Sequence, residues 1–101
     1  MISKRKLNIA VVGCGHVGLP LAICLANDGH TVIGVDNDLH LNATVMKGSV
    51  PFVEEGLQRI LEEVLKTGRF SMTADLPATA NGNIDAFILT LGTPLDPNSV
   101  P

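Results

Sequence analysis

Apolar and polar positions along this chain follow two rhythms, and the switches between them mark out its elements. Residues 7–12, Leu-Asn-Ile-Ala-Val-Val, form a nearly unbroken apolar run that ends at a glycine, as a strand buried on both faces does. Over residues 15–27 apolar positions return at three- and four-residue steps, which predicts a helix with Val17, Leu21, Cys24 and Leu25 on its inner face. Pro20 falls near its first turn, where a missing N–H costs least, and Asn27-Asp28-Gly29 stops it. Residues 31–36, rich in β-branched side chains, read as a second buried strand.

A shorter helix is expected over residues 38–46 with Asp38 as its N-cap, followed by an irregular connection over 49–53 around Pro51. The cleanest helical stripe comes next. Leu57, Ile60, Leu61, Val64 and Leu65 share one face, Glu54 and Glu55 sit at the positive end, and Gly68 is the stop. Residues 69–73 read as a short third strand and 75–83 as a loop with a helical turn. Residues 84–91, centred on Phe87-Ile88-Leu89, read as a fourth buried strand that feeds Gly92-Thr93-Pro94. The proline-bearing tail over 95–101 has no partner element.

Strand, helix and strand in this order form a right-handed crossover with the two strands parallel. The expected fold is α/β: a partial Rossmann-type parallel sheet of about four strands in the order 3-2-1-4, with helices on both faces. That is the first part of a doubly wound sheet, and its fourth strand keeps an open edge. Residues 1–101 are therefore expected to be an incomplete domain whose further strands lie outside them.

Composition narrows the picture. With 46% hydrophobic and 17% charged residues the chain is globular in character, and a net charge of −3 gives no electrostatic case for nucleic acid. Lys4, Arg5 and Lys6 read as a solvated lead-in to the first strand. No apolar run nears the roughly 20 residues of a membrane-spanning helix, and the start lacks a secretory pattern, so the expected location is the cytoplasm with no membrane partner.

Gly13, Gly15 and Gly18 form a Gly-x-Gly-x-x-Gly run between the first strand and the first helix, and Asp36 closes the second strand. Three such glycines alone are a weak signal; this context makes them a dinucleotide-binding signature. Gly13 permits a sharp turn off the strand, Gly15 leaves space for a pyrophosphate met by backbone N–H groups and the helix dipole, and Gly18 lets the helix pack closely. Asp36 would accept hydrogen bonds from the ribose hydroxyls and repel a 2′-phosphate, which selects NAD over NADP. A glycine turn that binds nothing is the alternative.

Other polar groups have plainer readings. Cys14 at a helix N-terminus resembles an activated nucleophile, but the position between two fingerprint glycines suits any small apolar residue, and Cys24 reads as helix core. Two cysteines give neither a disulfide framework nor a metal site, and His30 and His40 read as surface residues with no third ligand. Glu54 and Glu55 are adjacent on the chain and so diverge, which removes them as an acid/base pair.

The string Gly13-Cys14-Gly15-His16-Val17-Gly18-Leu19-Pro20 resembles the opening of the UDP-glucose/GDP-mannose dehydrogenase family, where tyrosine usually stands in the place of His16. Three later segments add to the likeness: Val35-Asp36-Asn37-Asp38, Pro51-Phe52-Val53-Glu54-Glu55-Gly56-Leu57 with Glu55 in place of a second proline, and Leu91-Gly92-Thr93-Pro94-Leu95-Asp96. The resemblance implies NAD as cofactor and a two-step oxidation of a sugar C6 alcohol to a carboxylate. It also implies a UDP- or GDP-sugar substrate and a homo-oligomer when complete. It carries cofactor contacts onto His16 and Val17 at the turn, Asp36 at the ribose and Thr93 beside the cofactor. Leu41 stands where some members have a basic residue near the ribose. The family's catalytic thiolate, base and water-activating carboxylate lie beyond the threonine-proline loop, so no catalytic residue is assigned. A non-catalytic nucleotide-binding module, or another NAD-dependent dehydrogenase of the same fold, remain the alternatives.

Overall fold

Four parallel strands lie in the order β3-β2-β1-β4, in a computed structural model that describes residues 5–75 and 84–90. In chain order the elements are β1 (Asn8–Val12), α1 (Gly18–Asn27), β2 (Thr31–Val35), α2 (Leu39–Met46), α3 (Leu57–Thr67), β3 (Phe70–Thr73) and β4 (Ala86–Leu89). The expected parallel α/β sheet and its strand order are those observed, and the buried residues of α1, α2 and α3 gather in one core cluster with Ile9, Val32 and Phe70. The expectations over residues 76–83 and 91–101, including Gly92, Thr93 and Pro94, lie outside the described residues.

Register sets the core. Ile9 pairs with Val32 and Val32 with Phe70, which puts these three side chains on one face of the sheet. There they meet Leu19, Ala22, Ile23 and Ala26 of α1 and Leu57, Leu61 and Val64 of α3, all buried. Each large side chain buried in this layer stabilises the fold by about 1.5–3 kcal/mol. Because α1 and α3 also pack on each other, the stripe predicted for α3 serves both a helix and a sheet.

The inner face of α1 differs from the expected one. Val17 is 72% exposed and Cys24 is exposed, while Gly18, Ala22 and Ala26 at four-residue steps turn to the sheet. Residues 17–26 are apolar almost all round, so periodicity admits more than one stripe, and the need for Cβ-free contact at Gly18 makes the choice. The helix also starts at Gly18 rather than Gly15, with residues 15–17 in a turn. Pro20 thus sits in the first turn, where its absent N–H is harmless.

Two further expectations are corrected. β4 is not buried on both faces: Ala86 and Ile88 pack against the core, but Phe87 and Leu89 are 52% and 65% exposed. As an edge strand, β4 has a neighbour on one side only among the described residues. His30 is not a surface residue; its Nδ1 accepts the Leu7 N–H at 3.1 Å and joins the start of β1 to the turn after α1. Asp38 caps α2 as expected, its Oδ1 accepting the Leu41 N–H at 3.0 Å.

Candidate functional site at the mouth of the first two strands

β1 and β2 end level with one another, Val12 opposite Val35, and the glycine loop leaves from that point. Gly13 has φ of +93° and donates its N–H to the Val35 carbonyl at 2.8 Å, so the turn is tied to the end of β2. A Cβ at Gly13 would strike the Thr90 carbonyl, and one at Gly18 would strike the Gly13 carbonyl and the Thr90 hydroxyl. Both glycines are therefore required by crowding. Gly15 is the opposite case, with nothing within 4 Å of where a Cβ would stand. Among the described residues, the N–H groups of Gly15, His16 and Val17 meet no protein acceptor, and they lie at the positive end of α1.

Asp36 turns its carboxylate back towards this loop. Its Oδ2 accepts the Cys14 N–H at 2.9 Å and its Oδ1 accepts the Asp38 N–H at 2.9 Å. One bond per oxygen leaves acceptor capacity on each. Behind it, Asn42 of α2 donates from Nδ2 to the Asp36 main-chain carbonyl at 2.8 Å. Asn42 is 8% exposed, and its Oδ1 is buried with no hydrogen-bond partner, an arrangement that costs about 1–3 kcal/mol.

Cys14 lies under the loop, fully buried, with its thiol facing the Val11 carbonyl at 3.6 Å. Burial, and after it the negative charge of Asp36, push its pKa from 9.0 up to about 11. A thiol held protonated in this way packs as a small apolar side chain and is no nucleophile at neutral pH.

The side chain of His16 leaves the loop on its outer side and stacks on Phe52, ring centroids 4.6 Å apart and planes inclined by 27°. The connection carrying Phe52 is itself anchored to α3: Gln58 accepts the Val50 N–H at 3.0 Å and donates to the Gly48 carbonyl. Glu54 and Glu55 precede Gly56, the N-cap of α3, and are exposed.

Of the residues singled out in the sequence, Gly13, Gly15, His16, Val17, Gly18 and Asp36 are thus gathered at one mouth, while Thr93 lies outside the described residues. Three contributors were not anticipated. The Thr90 hydroxyl donates to the Gly13 carbonyl, with the Val12 carbonyl at 3.3 Å, and fixes the loop from the end of β4. A hydroxyl at the carboxyl end of a predicted parallel strand was the available signal. Phe52 carries no such signal, because its partner His16 stands far back along the chain, and Asn42 carries none because a lone asparagine within a helix does not show that its amide turns back to the carbonyl six residues before it.

Fold and mouth together define an α/β dinucleotide-binding domain of the Rossmann type. Over residues 7–100 the chain matches the UDP-glucose/GDP-mannose dehydrogenase family, NAD binding domain, and it belongs to that family. The cofactor of this domain is NAD. The chain is 35% identical over 88 residues to the UDP-glucose 6-dehydrogenase of Rhizobium meliloti (strain 1021), covering 87% of this chain and 20% of that protein. It is 36% identical over 92 residues to the GDP-mannose 6-dehydrogenase of Pseudomonas aeruginosa, covering 91% and 21%. Among solved structures, a ternary complex of GDP-mannose dehydrogenase from Pseudomonas aeruginosa superposes with a TM-score of 0.79 at 38% identity, over 85% of this chain and 20% of that one. The UDP-N-acetyl-mannosamine dehydrogenase Cap5O from Staphylococcus aureus gives 0.74 at 34%, over 82% and 19%. The chain spans about a fifth of the length of these relatives.

Proposed function

We propose that this chain is the NAD-binding portion of an NAD-dependent nucleotide-sugar 6-dehydrogenase, which oxidises the C6 alcohol of a UDP- or GDP-sugar to a carboxylate. The parts that hold the sugar and perform the oxidation lie outside residues 1–101, and the complete enzyme is a homo-oligomer. The named activities of the relatives, and the fifth of their length that this chain spans, support the reading.

Within the chain, the open space over Gly15 and the N–H groups of Gly15, His16 and Val17 take the pyrophosphate, while Gly13 and Gly18 hold the loop that presents them. Asp36 takes the adenosine ribose hydroxyls, and Thr93 stands beside the cofactor. Bound NAD⁺ supplies a ring that accepts hydride from the sugar alcohol. The observation that carries the proposal is the Asp36 carboxylate held on the Cys14 N–H, at the loop rather than away from it. A 2′-phosphate brought there would meet a negative charge.

The test is stoichiometric. The polypeptide that carries this chain, given NAD⁺ with UDP-glucose, GDP-mannose or UDP-N-acetylmannosamine in turn, is expected to form two NADH for each sugar acid produced. One NADH per sugar, or turnover of none of the three, contradicts the assignment.

A further inference from the structure

We propose that Asn42 is the positioning residue for Asp36, and that through it α2 sets how strongly this domain prefers NAD over NADP. The inference rests on the reading that Asp36 receives the ribose. Asp36 stands one residue beyond the end of β2, where the sheet no longer dictates its direction. Its N–H still pairs with Thr73 of β3 at 3.0 Å, but its carbonyl is taken up by Asn42, at 2.8 Å. With both sides of the residue held, the carboxylate is delivered to the Cys14 N–H on one side and the Asp38 N–H on the other.

The bonds close into a ring. Asp38 caps α2 through Leu41, the Asp38 carbonyl accepts the Asn42 N–H at 3.0 Å, and the Asn42 side chain returns to Asp36. Displacing any member shifts the carboxylate that faces the loop. The orientation of the Asn42 amide is fixed by chemistry, because the Asp36 carbonyl only accepts and must be met by Nδ2. That choice leaves Oδ1 buried without a partner. An apolar residue would fill this part of α2, beside buried Val45, without stranding an acceptor. What asparagine supplies and an apolar residue does not is the bond to Asp36.

Two substitutions and one direct measurement test this on the full chain, with NAD⁺ and NADP⁺ titrated separately. Asn42→Leu removes donor and stranded acceptor at similar volume, and Asn42→Ser stays polar but withdraws the amide, leaving a hydroxyl on a side chain too short to keep the bond to the Asp36 carbonyl. Each is expected to lower the NAD⁺/NADP⁺ affinity ratio by about fivefold to tenfold, the scale of one charge-assisted hydrogen bond drawn out of line. The Cys14 amide proton, which bonds the Asp36 carboxylate, is expected to move upfield in the same variants relative to the unsubstituted chain. In an Asp36→Ala background, Asn42→Leu is expected to leave the ratio where Asp36→Ala alone puts it.

A folded Asn42 variant with the wild-type ratio, or one that weakens both cofactors equally, overturns the inference while Asp36→Ala still lowers the ratio. An unchanged ratio in Asp36→Ala overturns the reading of Asp36 and this inference with it. In the unsubstituted chain, a through-hydrogen-bond coupling between the Asn42 side-chain nitrogen and the Asp36 carbonyl carbon is expected. Its absence overturns the inference whatever the variants do.

Discussion

His16 lies flat against Phe52, and this single ring contact joins the glycine loop to the connection between α2 and α3. The family's usual tyrosine at the position of His16 is also a flat ring, so the replacement keeps the shape that the contact needs. Aromatic pairs of this kind contribute about 0.5–1.5 kcal/mol beyond the area they bury. A double-mutant cycle of His16→Ala and Phe52→Ala, followed by chemical denaturation, is expected to return a coupling in that range. His16→Tyr is expected to retain it.

Cys14 and Cys24 differ in burial and should differ in reactivity. In the folded chain one thiol, that of Cys24, is expected to react rapidly with an aromatic disulfide reagent at pH 8, and both in denaturant. Two fast thiols in the folded chain would contradict the burial of Cys14.

The raised pKa of Cys14 also predicts an alkaline loss of stability. Unfolded, the thiol ionises near its usual 9.0; folded, it keeps its proton up to about 11. Between these values the folded state binds more protons, so unfolding becomes easier as pH rises. The contribution is fully present below pH 9 and amounts to on the order of 2 kcal/mol when lost. Denaturation midpoints followed from pH 8 to 11 are expected to fall, and Cys14→Ala is expected to flatten that slope.

Gly15 and Gly18 separate space for a ligand from space for the fold. Gly18→Ala puts a Cβ into the Gly13 carbonyl and is expected to destabilise the chain by about 1–3 kcal/mol. Gly15→Ala meets open space, so stability should change by less than about 0.5 kcal/mol. Its NAD⁺ affinity is nevertheless expected to fall more than about tenfold, which corresponds to 1.4 kcal/mol or more. Thermal melts and calorimetric titration of the two variants read out both quantities.

Phe87 and Leu89 face outwards on a strand whose second edge has no neighbour among the described residues. Exposed apolar edges invite association, so the chain is expected to self-associate at micromolar concentration in sedimentation experiments, and Leu89→Lys to reduce this. A monomer with a sharply cooperative unfolding transition would contradict the expectation.

Much of this was legible in the sequence because it depends on local rules. The β1 run, the glycines and the terminal Asp36 specify a strand, a turn and a mouth within a short stretch of chain, and the stripe of α3 admits only one inner face. The inner face of α1 was not legible, since a helix apolar all round is turned by what lies beneath it, here the crowding at Gly18. Phe87 and Leu89 alternate onto the sheet face opposite Ile9, Val32 and Phe70, and an apolar run does not record which face the helices cover. Thr90 was hidden for a related reason, since it bonds main-chain carbonyls that reach it only once β1 and β4 are parallel and in register, whereas Asn42 bonds a carbonyl six residues away through a local turn of the chain that its residue type does not specify.

The central claim is that Asp36 judges the ribose at a loop built to receive a pyrophosphate. Calorimetric titration of the chain and of Asp36→Ala with NAD⁺ and with NADP⁺ tests it most directly. The expected result is tighter binding of NAD⁺ than NADP⁺, with that preference lost in Asp36→Ala. Preference for NADP⁺, or unchanged NAD⁺ affinity in Asp36→Ala, would contradict it.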